Sequence, residues 1–490
     1  MKRISKALAS LTIAGMTLSM LPFNALATGT IPPRLAGDNA AQTAVKIAEQ
    51  TGWTGTAILA SSASYGMVDA LTSGPLASFL KAPILLQEPG STLNPDTKAE
   101  LIKLNVDKVY VTSGTSVISQ AIIDQLNDMN ITVVSLGGSD RFQTSVNIAK
   151  KMVELDATVS KVAVAYGWLN QDALSIASIA SAQTQPILLT DKNSVPDSVE
   201  EFLTANKSIV STDIIGGTAV ISDDVKAKFP KATRYFGNTA YDTNVAVLKA
   251  FDELVQYDHV YVANGETAID ALAGAPLAAQ SKSGIVLTKG TANEGTTYVS
   301  GKLSASSFIT ALGGTAVVPD SVLTDLISAQ TAAVAKAAAI KKIDEVAKDA
   351  AATTISLDDL KVAGVTAADV VDANLVAYQA AISAAADLEL DSTAKIQQMV
   401  TDVNTAQVAE AAAKAMQAAI TKIDSIVSGD PATTISLDDL KVAGVTAADV
   451  VDANLVAYQA AISAAADLEL DSTAKIQQMV TDVNTAQASL

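Results

Sequence analysis

Short apolar runs alternate with longer amphipathic stretches in the N-terminal part of the chain. The runs are rich in Val, Ile and Leu and lack a polar face, which is typical of parallel strands covered by helices on both sides. In the first cycle the pattern predicts strands at 56–60, 84–86 and 108–112, and helices at 69–80, 96–104 and 119–127. We therefore predict an α/β fold in which each cycle builds a small parallel sheet.

The same cycle occurs three times along the chain. Each copy carries an aspartate that opens an Asp-Ala-Leu triplet and, 44 or 45 residues later, the glycine of a Gly-Thr turn. The aspartates are Asp69, Asp172 and Asp270, and the glycines are Gly114, Gly217 and Gly314. Such constant spacing indicates tandem repeats, which we place at 34–133, 134–232 and 233–328.

A second, exact repeat occupies the C-terminal part of the chain. Residues 352–407 recur without a change at 432–487. Their pattern predicts only helices, which in the first copy lie at 357–363, 373–385 and 393–406. We predict two small all-α helical repeats at 351–430 and 431–490, after an Ala-rich helical linker at 329–350.

The N-terminus and the composition limit the location and the partners. Residues 1–27 combine a basic start, an apolar run and a small-residue cleavage pattern, which predicts a signal peptide and secretion. The remaining chain has no apolar run long enough for a transmembrane segment, and it has no cysteine to form disulfides. A net charge of −18 argues against nucleic acid as a partner, because phosphate binding needs clustered Lys and Arg.

The residue types offer little support for catalysis. His259 is the only histidine and cysteine is absent, so neither a usual zinc hydrolase site nor a Cys-His pair can be assembled. No Gly-x-Ser-x-Gly motif accompanies His259, which we interpret as a structural residue at the edge of a strand. We therefore predict no catalytic residue, no metal and no cofactor.

The repeated aspartates and glycines each have two interpretations. An aspartate between a strand and a helix can cap the helix, or it can contact a ligand at the edge of the sheet. A Gly-Thr turn can offer backbone N–H groups to an anion, or it can simply satisfy a tight connection. Capping and the tight turn are the simpler alternatives. The same patterns predict that the first helices of the copies begin at Thr43, Thr144 and Thr243.

After the predicted signal peptide, which contains Arg3, arginine is confined to the ten residues that lead into the first helix of each copy. We call these ten residues the lead-in segment. The three lead-in segments read "RLAGDNAAQT", "SLGGSDRFQT" and "RYFGNTAYDT", and they contain Arg34, Arg141 and Arg234. The planar guanidinium suits bidentate contact with a carboxylate or a phosphate. Two hypotheses follow: the arginines form ion pairs that lock one copy to the next, or they contact an anionic polymer.

The segments "GGSDRFQTSVNIA", "QDALSIASIA", "PILLT" and "IIGGTAVIS" follow one another in this order. Together with the lead-in segments they resemble the type 2 cell-wall-binding repeat of Gram-positive surface proteins. The resemblance implies three tandem Rossmann-like domains in a pseudo-threefold arrangement. It also implies noncovalent attachment to an anionic secondary polymer of the cell wall. The candidate polymer contacts are the three lead-in arginines, the three repeated aspartates and the three turn glycines named above.

We therefore expect a secreted protein of the cell wall or cell surface, whose repeats anchor it and whose helical modules are presented outward. Neighbouring surface proteins are a further expected class of partner. Two alternatives stay open. One is a structural S-layer protein that assembles with copies of itself, and the other is a wall hydrolase of the amidase type. The single histidine and the absence of cysteine disfavour the hydrolase.

Overall fold

The structure, a computed structural model, describes residues 33–155, 157–304, 306–349, 352–385, 389–426, 431–465 and 469–489. The predicted signal peptide lies outside these residues. The chain divides into two compact units, of which the first ends at Val334 and the second begins at Ala335. Each unit has hydrophobic cores of its own.

Three parallel sheets of four strands each form the first unit. The strands are β1 Arg34–Leu35, β2 Thr56–Ser61, β3 Ile84–Gln87, β4 Lys108–Val111, β5 Thr132–Ser135, β6 Lys161–Tyr166, β7 Ile187–Thr190, β8 Ser211–Ile215, β9 Ala232–Tyr235, β10 His259–Asn264, β11 Ile285–Thr288 and β12 Phe308–Leu312. Their order is β3-β2-β4-β5 in the first sheet, β7-β6-β8-β9 in the second and β11-β10-β12-β1 in the third. The predicted α/β fold is confirmed.

Each sheet takes its last strand from the start of another repeat. Strand β5, which spans the boundary between the first and second repeats, pairs with β4, and strand β9, which spans the boundary between the second and third repeats, pairs with β8. The ring closes because β1 at the start of the first repeat pairs with β12, with Arg34 opposite Ala311. The edge strand of each sheet therefore comes wholly or partly from another repeat, and backbone hydrogen bonds hold each junction.

Helices connect the strands of the first unit. They are α1 Ala40–Thr51, α2 Ser64–Ala70, α3 Gly74–Leu80, α4 Pro95–Lys103, α5 Gln120–Asp128, α6 Arg141–Glu154, α7 Gln171–Ala182, α8 Asp197–Ala205, α9 Asp223–Lys226, α10 Ala240–Ala250, a 3₁₀ turn Asp252–Leu254, α11 Ile269–Gln280, α12 Glu294–Ser300 and α13 Asp320–Asp349. Helix α13 continues past Val334 into the second unit.

Helices α3, α7 and α11 are equivalent elements of the three repeats, and all three pack against one another. Small residues permit this close approach. A Cβ added at Gly74 would lie 2.8 Å from the Ser181 hydroxyl and 3.4 Å from the Ala275 methyl group. The three Rossmann-like domains thus meet around a pseudo-threefold centre, as the resemblance implied.

The helix predicted at 69–80 is interrupted, because residues 71–73 separate α2 from α3. Pro75 lacks an amide donor and crowds the preceding turn, and Gly74 beside it is a poor helix former. The third repeat keeps α11 continuous across the equivalent Pro276, where Ala275 occupies the position of Gly74. The prediction of one helix was therefore wrong for the first repeat.

The first helix of each repeat begins three residues before the predicted threonine. The N-cap side chains, which accept hydrogen bonds from the helix N–H groups, belong to Asn39, Asp140 and Thr239. The buried threonines Thr43, Thr144 and Thr243 instead accept hydrogen bonds, at 2.9 to 3.1 Å, from the amide of a glycine in the lead-in segment. They fix the turn before the helix, and this role explains their regular spacing.

Two helical modules with the same elements form the second unit. The helices are α14 Leu357–Val362, α15 Leu375–Ala384, α16 Thr393–Asp424, α17 Leu437–Val442, α18 Leu455–Ala464 and α19 Thr473–Ala488. Short 3₁₀ turns lie at Ala352–Thr354, Ala367–Asp369, Asp372–Asn374, Ala447–Asp449 and Asp452–Asn454. Each module has its own core around a fully buried tyrosine, Tyr378 or Tyr458.

Helix α16 joins these two modules. It does not end at residue 406, as predicted, but continues to Asp424. Its first half contributes Val400 to one core and its second half contributes Ile423 to the other. At a rise of about 1.5 Å per residue, its 32 residues span about 48 Å. The modules therefore share one continuous helix.

Candidate functional site

The carboxyl ends of the strands bring the repeated motifs together. In the second sheet, Asp172 follows β6, Gly217 follows β8 and the lead-in segment of the third repeat continues from β9. Because the strands are parallel, these segments meet at one edge, which is where open α/β sheets bind ligands. The first and third sheets have equivalent edges, and we call each one the carboxyl edge of its sheet.

The repeated aspartates are enclosed beneath these edges. Asp172 and Asp270 are 5% and 6% exposed, and neither forms a hydrogen bond or ion pair with any residue that the structure describes. Burial raises the pKa of Asp172 to about 7 and that of Asp270 to about 6. Burial also raises the pKa of Asp69, although a hydrogen bond from Ser113 and the nearby charge of Arg141 act in the opposite direction.

The capping interpretation of these aspartates is wrong. Asn170 is the N-cap residue of α7, and Asp172 and Asp270 lie within the first turn of their helices. Asp69 lies near the end of α2. The carboxyl group of Asp172 instead occupies the space that a side chain at Gly216 would need. The aspartates therefore pack against the strand-to-turn connection and do not cap the helices.

The turn glycines form tight, closed turns. Amide groups three and four residues later donate hydrogen bonds of 2.9 to 3.1 Å to the carbonyl oxygens of Gly114, Gly217 and Gly314. The preceding Gly216 and Gly313 have φ angles of 122° and 102°, a region that disfavours side chains. The tight-turn interpretation accounts for this geometry, and the turns form part of each carboxyl edge.

Arg234 joins the third repeat to the second. Its side chain, which is 8% exposed, donates hydrogen bonds to the carbonyl oxygens of Gly216 at 2.8 Å and Ser222 at 3.3 Å. It also forms an ion pair with Asp223 at 3.0 Å. All three partners precede β9 in the second repeat, so this arginine reinforces the exchanged strand.

At the other two junctions, the arginine and the aspartate of this ion pair occur together or are both replaced. Arg34 on β1 pairs with Asp320, which is the counterpart of Asp223 in the third repeat. At the first junction, Ser135 and Gln120 occupy the two equivalent positions. Arginine and aspartate are thus both present or both absent. The residue that pairs with the arginine stands six residues after the turn glycine, so the sequence contains this pattern. The pattern can be interpreted only when the pairing of strands between repeats is known.

Arg141 has a different environment. It begins α6 and donates a hydrogen bond to the carbonyl oxygen of Gly167 at 2.8 Å. Its guanidinium carbon lies 4.1 Å from the centre of the Trp168 ring. Trp168 is 53% exposed, so this arginine lies beside an open surface. Sequence reasoning did not single out Trp168, because the other repeats have no tryptophan at this position.

The single histidine has a structural environment. His259 opens β10, its ring lies 5.2 Å from that of Phe308, and burial lowers its pKa. Within the described part of the chain, no three His, Cys, Asp or Glu side chains are grouped so that they could hold a metal ion. None of the described helices combines the length and apolar character of a membrane span.

Comparison with known proteins accounts for the three repeats. A family model described as cell wall binding domain 2 matches residues 34–123, 135–226 and 234–323. The chain belongs to this family. The resemblance to type 2 cell-wall-binding repeats is confirmed, and the family supports a cell-wall-associated surface protein.

Several relatives share this part of the chain. N-acetylmuramoyl-L-alanine amidase LytC of Bacillus subtilis is 31% identical over 318 residues, which cover 64% of this chain and 62% of the relative. The amidase enhancer of the same organism is 34% identical over 225 residues, 45% of this chain and 30% of that protein. The chain therefore spans less than two thirds of the length of both relatives.

Two solved structures from Clostridium difficile are similar in fold and sequence. Cwp6 matches with a TM-score of 0.55 and 29% identity, over 61% of this chain and 48% of that chain. Cwp8 matches with a TM-score of 0.54 and 27% identity, over 61% of this chain and 52% of that chain.

Proposed function

We propose that the first unit attaches the protein noncovalently to an anionic secondary polymer of the cell wall, and that the attachment holds the helical unit at the cell surface. The observation that carries this proposal is the match of all three repeats to cell wall binding domain 2. The closed ring adds a physical reason. Three edges on one body bind a repeating polymer at several points, and each contact raises the effective concentration of the next.

The nine candidate residues divide into two groups. The carboxyl edges provide the polymer contacts, through Arg141, the turn glycines and the three aspartates beneath them. Arg34 and Arg234 act indirectly, because their guanidinium groups are engaged across the junctions. They hold the edges in place and are not themselves at the polymer.

Binding to walls before and after chemical removal of the secondary polymers tests this proposal. We expect the full chain after Ala27 to sediment with intact walls and to stay in solution with stripped walls. Arg141→Ala should weaken sedimentation when binding is expressed per folded molecule. Equal sedimentation with stripped walls would overturn the proposed polymer attachment.

We also propose that the protein is not an enzyme, although one of its relatives is an amidase. Two observations support this proposal. The ring of His259 packs against that of Phe308, and the residues after Ala335 form two helical modules. Incubation with purified peptidoglycan should release no new amino groups. Release that follows protein concentration would establish amidase activity and overturn this proposal.

One feature of the helical unit favours assembly with neighbouring copies as a second function. Val376 and its copy Val456 are 76% and 77% exposed at the same place in both modules. Covering an exposed apolar side chain with another protein surface removes it from water, which is favourable. Ordered arrays in electron micrographs of the purified protein would support this function, and a monomer at all concentrations would overturn it.

A further inference from the structure

We propose that the carboxyl edge of the second sheet carries a sugar-binding subsite, where the Trp168 ring stacks on the apolar face of a pyranose ring of the wall polymer. This inference rests on the proposed attachment to a wall polymer. It adds stacking on a sugar ring, at the second edge, to the contacts that all three edges make. Phe236 extends the aromatic surface, Arg141 positions the tryptophan, and Asp172 accepts a hydrogen bond from a sugar hydroxyl.

Trp168 is exposed but held in one orientation. The guanidinium of Arg141 lies 4.1 Å from the ring centre, and Phe142 meets the ring edge-on at 6.2 Å between centres. Arg141 is itself fixed by its hydrogen bond to Gly167. A side chain ordered in advance loses little freedom on binding. The C–H groups of a sugar carry partial positive charge and pack against the negative face of an indole ring.

Phe236 provides a second exposed ring at the same edge. It is 54% exposed, follows β9 directly and lies against the turn at Gly217. Strand β8 lies between β6 and β9, so the ends of β6 and β9, which lead to Trp168 and Phe236, are roughly 10 Å apart. Two exposed aromatic rings thus flank the turn at Gly217, and this arrangement suits stacking on a chain of sugar rings.

Asp172 supplies the polar part of the subsite. Its carboxyl group lies against Gly216, immediately before the turn, and it is 5% exposed. It has no hydrogen-bond partner among the described residues, and an unsatisfied buried carboxyl group is costly. A sugar hydroxyl above the turn provides the donor that the protein does not.

The three carboxyl edges are not equivalent in this respect. At the positions of Trp168 and Phe236, the first sheet has Tyr65 and Gly137, and the third sheet has Glu266 and Ala36. The first edge thus has one aromatic side chain and the third has none. Sugar stacking is therefore assigned to the second edge, whereas the shared motifs serve all three.

Two polymers and two variants of the full chain after Ala27 test the subsite. One polymer is a wall polysaccharide built of pyranose rings, and the other is poly(glycerol phosphate), which has no rings. Trp168→Ala should weaken binding of the polysaccharide by roughly tenfold and leave binding of poly(glycerol phosphate) unchanged. The matched control is Phe79→Ala, a partly exposed aromatic on α3 near the amino ends of the strands, which should bind like the unaltered protein.

Fluorescence gives a readout that does not depend on the alanine variant. In Trp53→Phe the remaining tryptophan is Trp168, and the polysaccharide should change its emission in a saturable way. Binding that Trp168→Ala leaves unchanged, with no change in Trp168 emission, would overturn the subsite and leave the anchor intact. Absence of binding by the unaltered protein to either polymer or to walls would overturn the anchor itself.

Discussion

Replacing Arg234 by alanine removes three contacts across the junction of the second and third repeats. Buried hydrogen bonds to charged groups contribute about 1.5–3 kcal/mol each, and the carbonyl oxygens of Gly216 and Ser222 would lose this donor. The ion pair adds little, because Asp223 is 76% exposed and exposed pairs contribute about 0–1 kcal/mol. We expect Arg234→Ala to lower the free energy of unfolding of the first unit by about 3 kcal/mol.

Tryptophan fluorescence measures this unit selectively, because Trp53 and Trp168 are the two tryptophans of the chain and both lie in it. With a urea slope of about 3 kcal/mol per molar, a loss of about 3 kcal/mol lowers the unfolding midpoint by about 1 M. Asp223→Ala should shift the midpoint by about a third as much at most. Ser135→Ala is the matched control, since Ser135 is the exposed counterpart of Arg234 at the junction without the pair.

The decisive comparison sets stability against wall binding. A lower midpoint for Arg234→Ala with little loss of binding per folded molecule is the expected result. An unchanged midpoint together with lost wall binding would refute the junction role and would place this arginine at the polymer. Equal shifts for Arg234→Ala and Asp223→Ala would contradict the larger share given to the backbone carbonyls.

Three other features lead to predictions. Burial raises the pKa of Asp172 to about 7 in the folded protein, against about 3.9 in an unfolded chain. Between these two values the folded protein keeps a proton that the unfolded chain has lost. The fold therefore loses stability as the pH rises from about 4 to about 7. Thermal unfolding should show this decline, and Asp172→Asn should make Tm depend less on pH and raise Tm at pH 8. The same dependence of Tm on pH in the variant would contradict the raised pKa of Asp172. Ala411→Pro should break α16 at a cost of about 3 kcal/mol and make the helical unit more flexible in small-angle scattering; unchanged scattering would refute the rigid connection. Tyr378→Phe removes the hydroxyl that accepts a hydrogen bond from the amide of Val371, and Tyr458→Phe does the same for the amide of Val451. The two variants should lower stability equally, by about 1–3 kcal/mol, as measured by circular dichroism, and clearly unequal losses would contradict the equivalence of the cores.

The alternation of apolar runs was sufficient to predict three parallel sheets, because strands buried on both faces leave a direct trace in the residue pattern. It could not predict which repeat completes which sheet. Strand β1 consists of Arg34 and Leu35, which is too short to form a pattern, and its partner β12 lies at the far end of the ring. Contacts of this kind depend on tertiary structure and have no local signature.

The candidate site was predicted only in part for the same reason. Asp223 and Asp320 resemble ordinary aspartates in the first turns of α9 and α13, where acidic residues are common. Their pairing with Arg234 and Arg34 follows from the exchanged strands. Trp168 was not predicted, because a repeat pattern shows only the residues that the copies share. Its role follows from its exposure and its contact with Arg141.

Calorimetric titration of the full chain after Ala27 with the anionic polymer released from purified walls tests the central claim most directly. We predict saturable binding, because three edges on one body contact the polymer at several points. We also predict no binding to peptidoglycan from which that polymer has been removed. Saturable binding to the stripped peptidoglycan, with no heat from the isolated polymer, would contradict the proposed attachment.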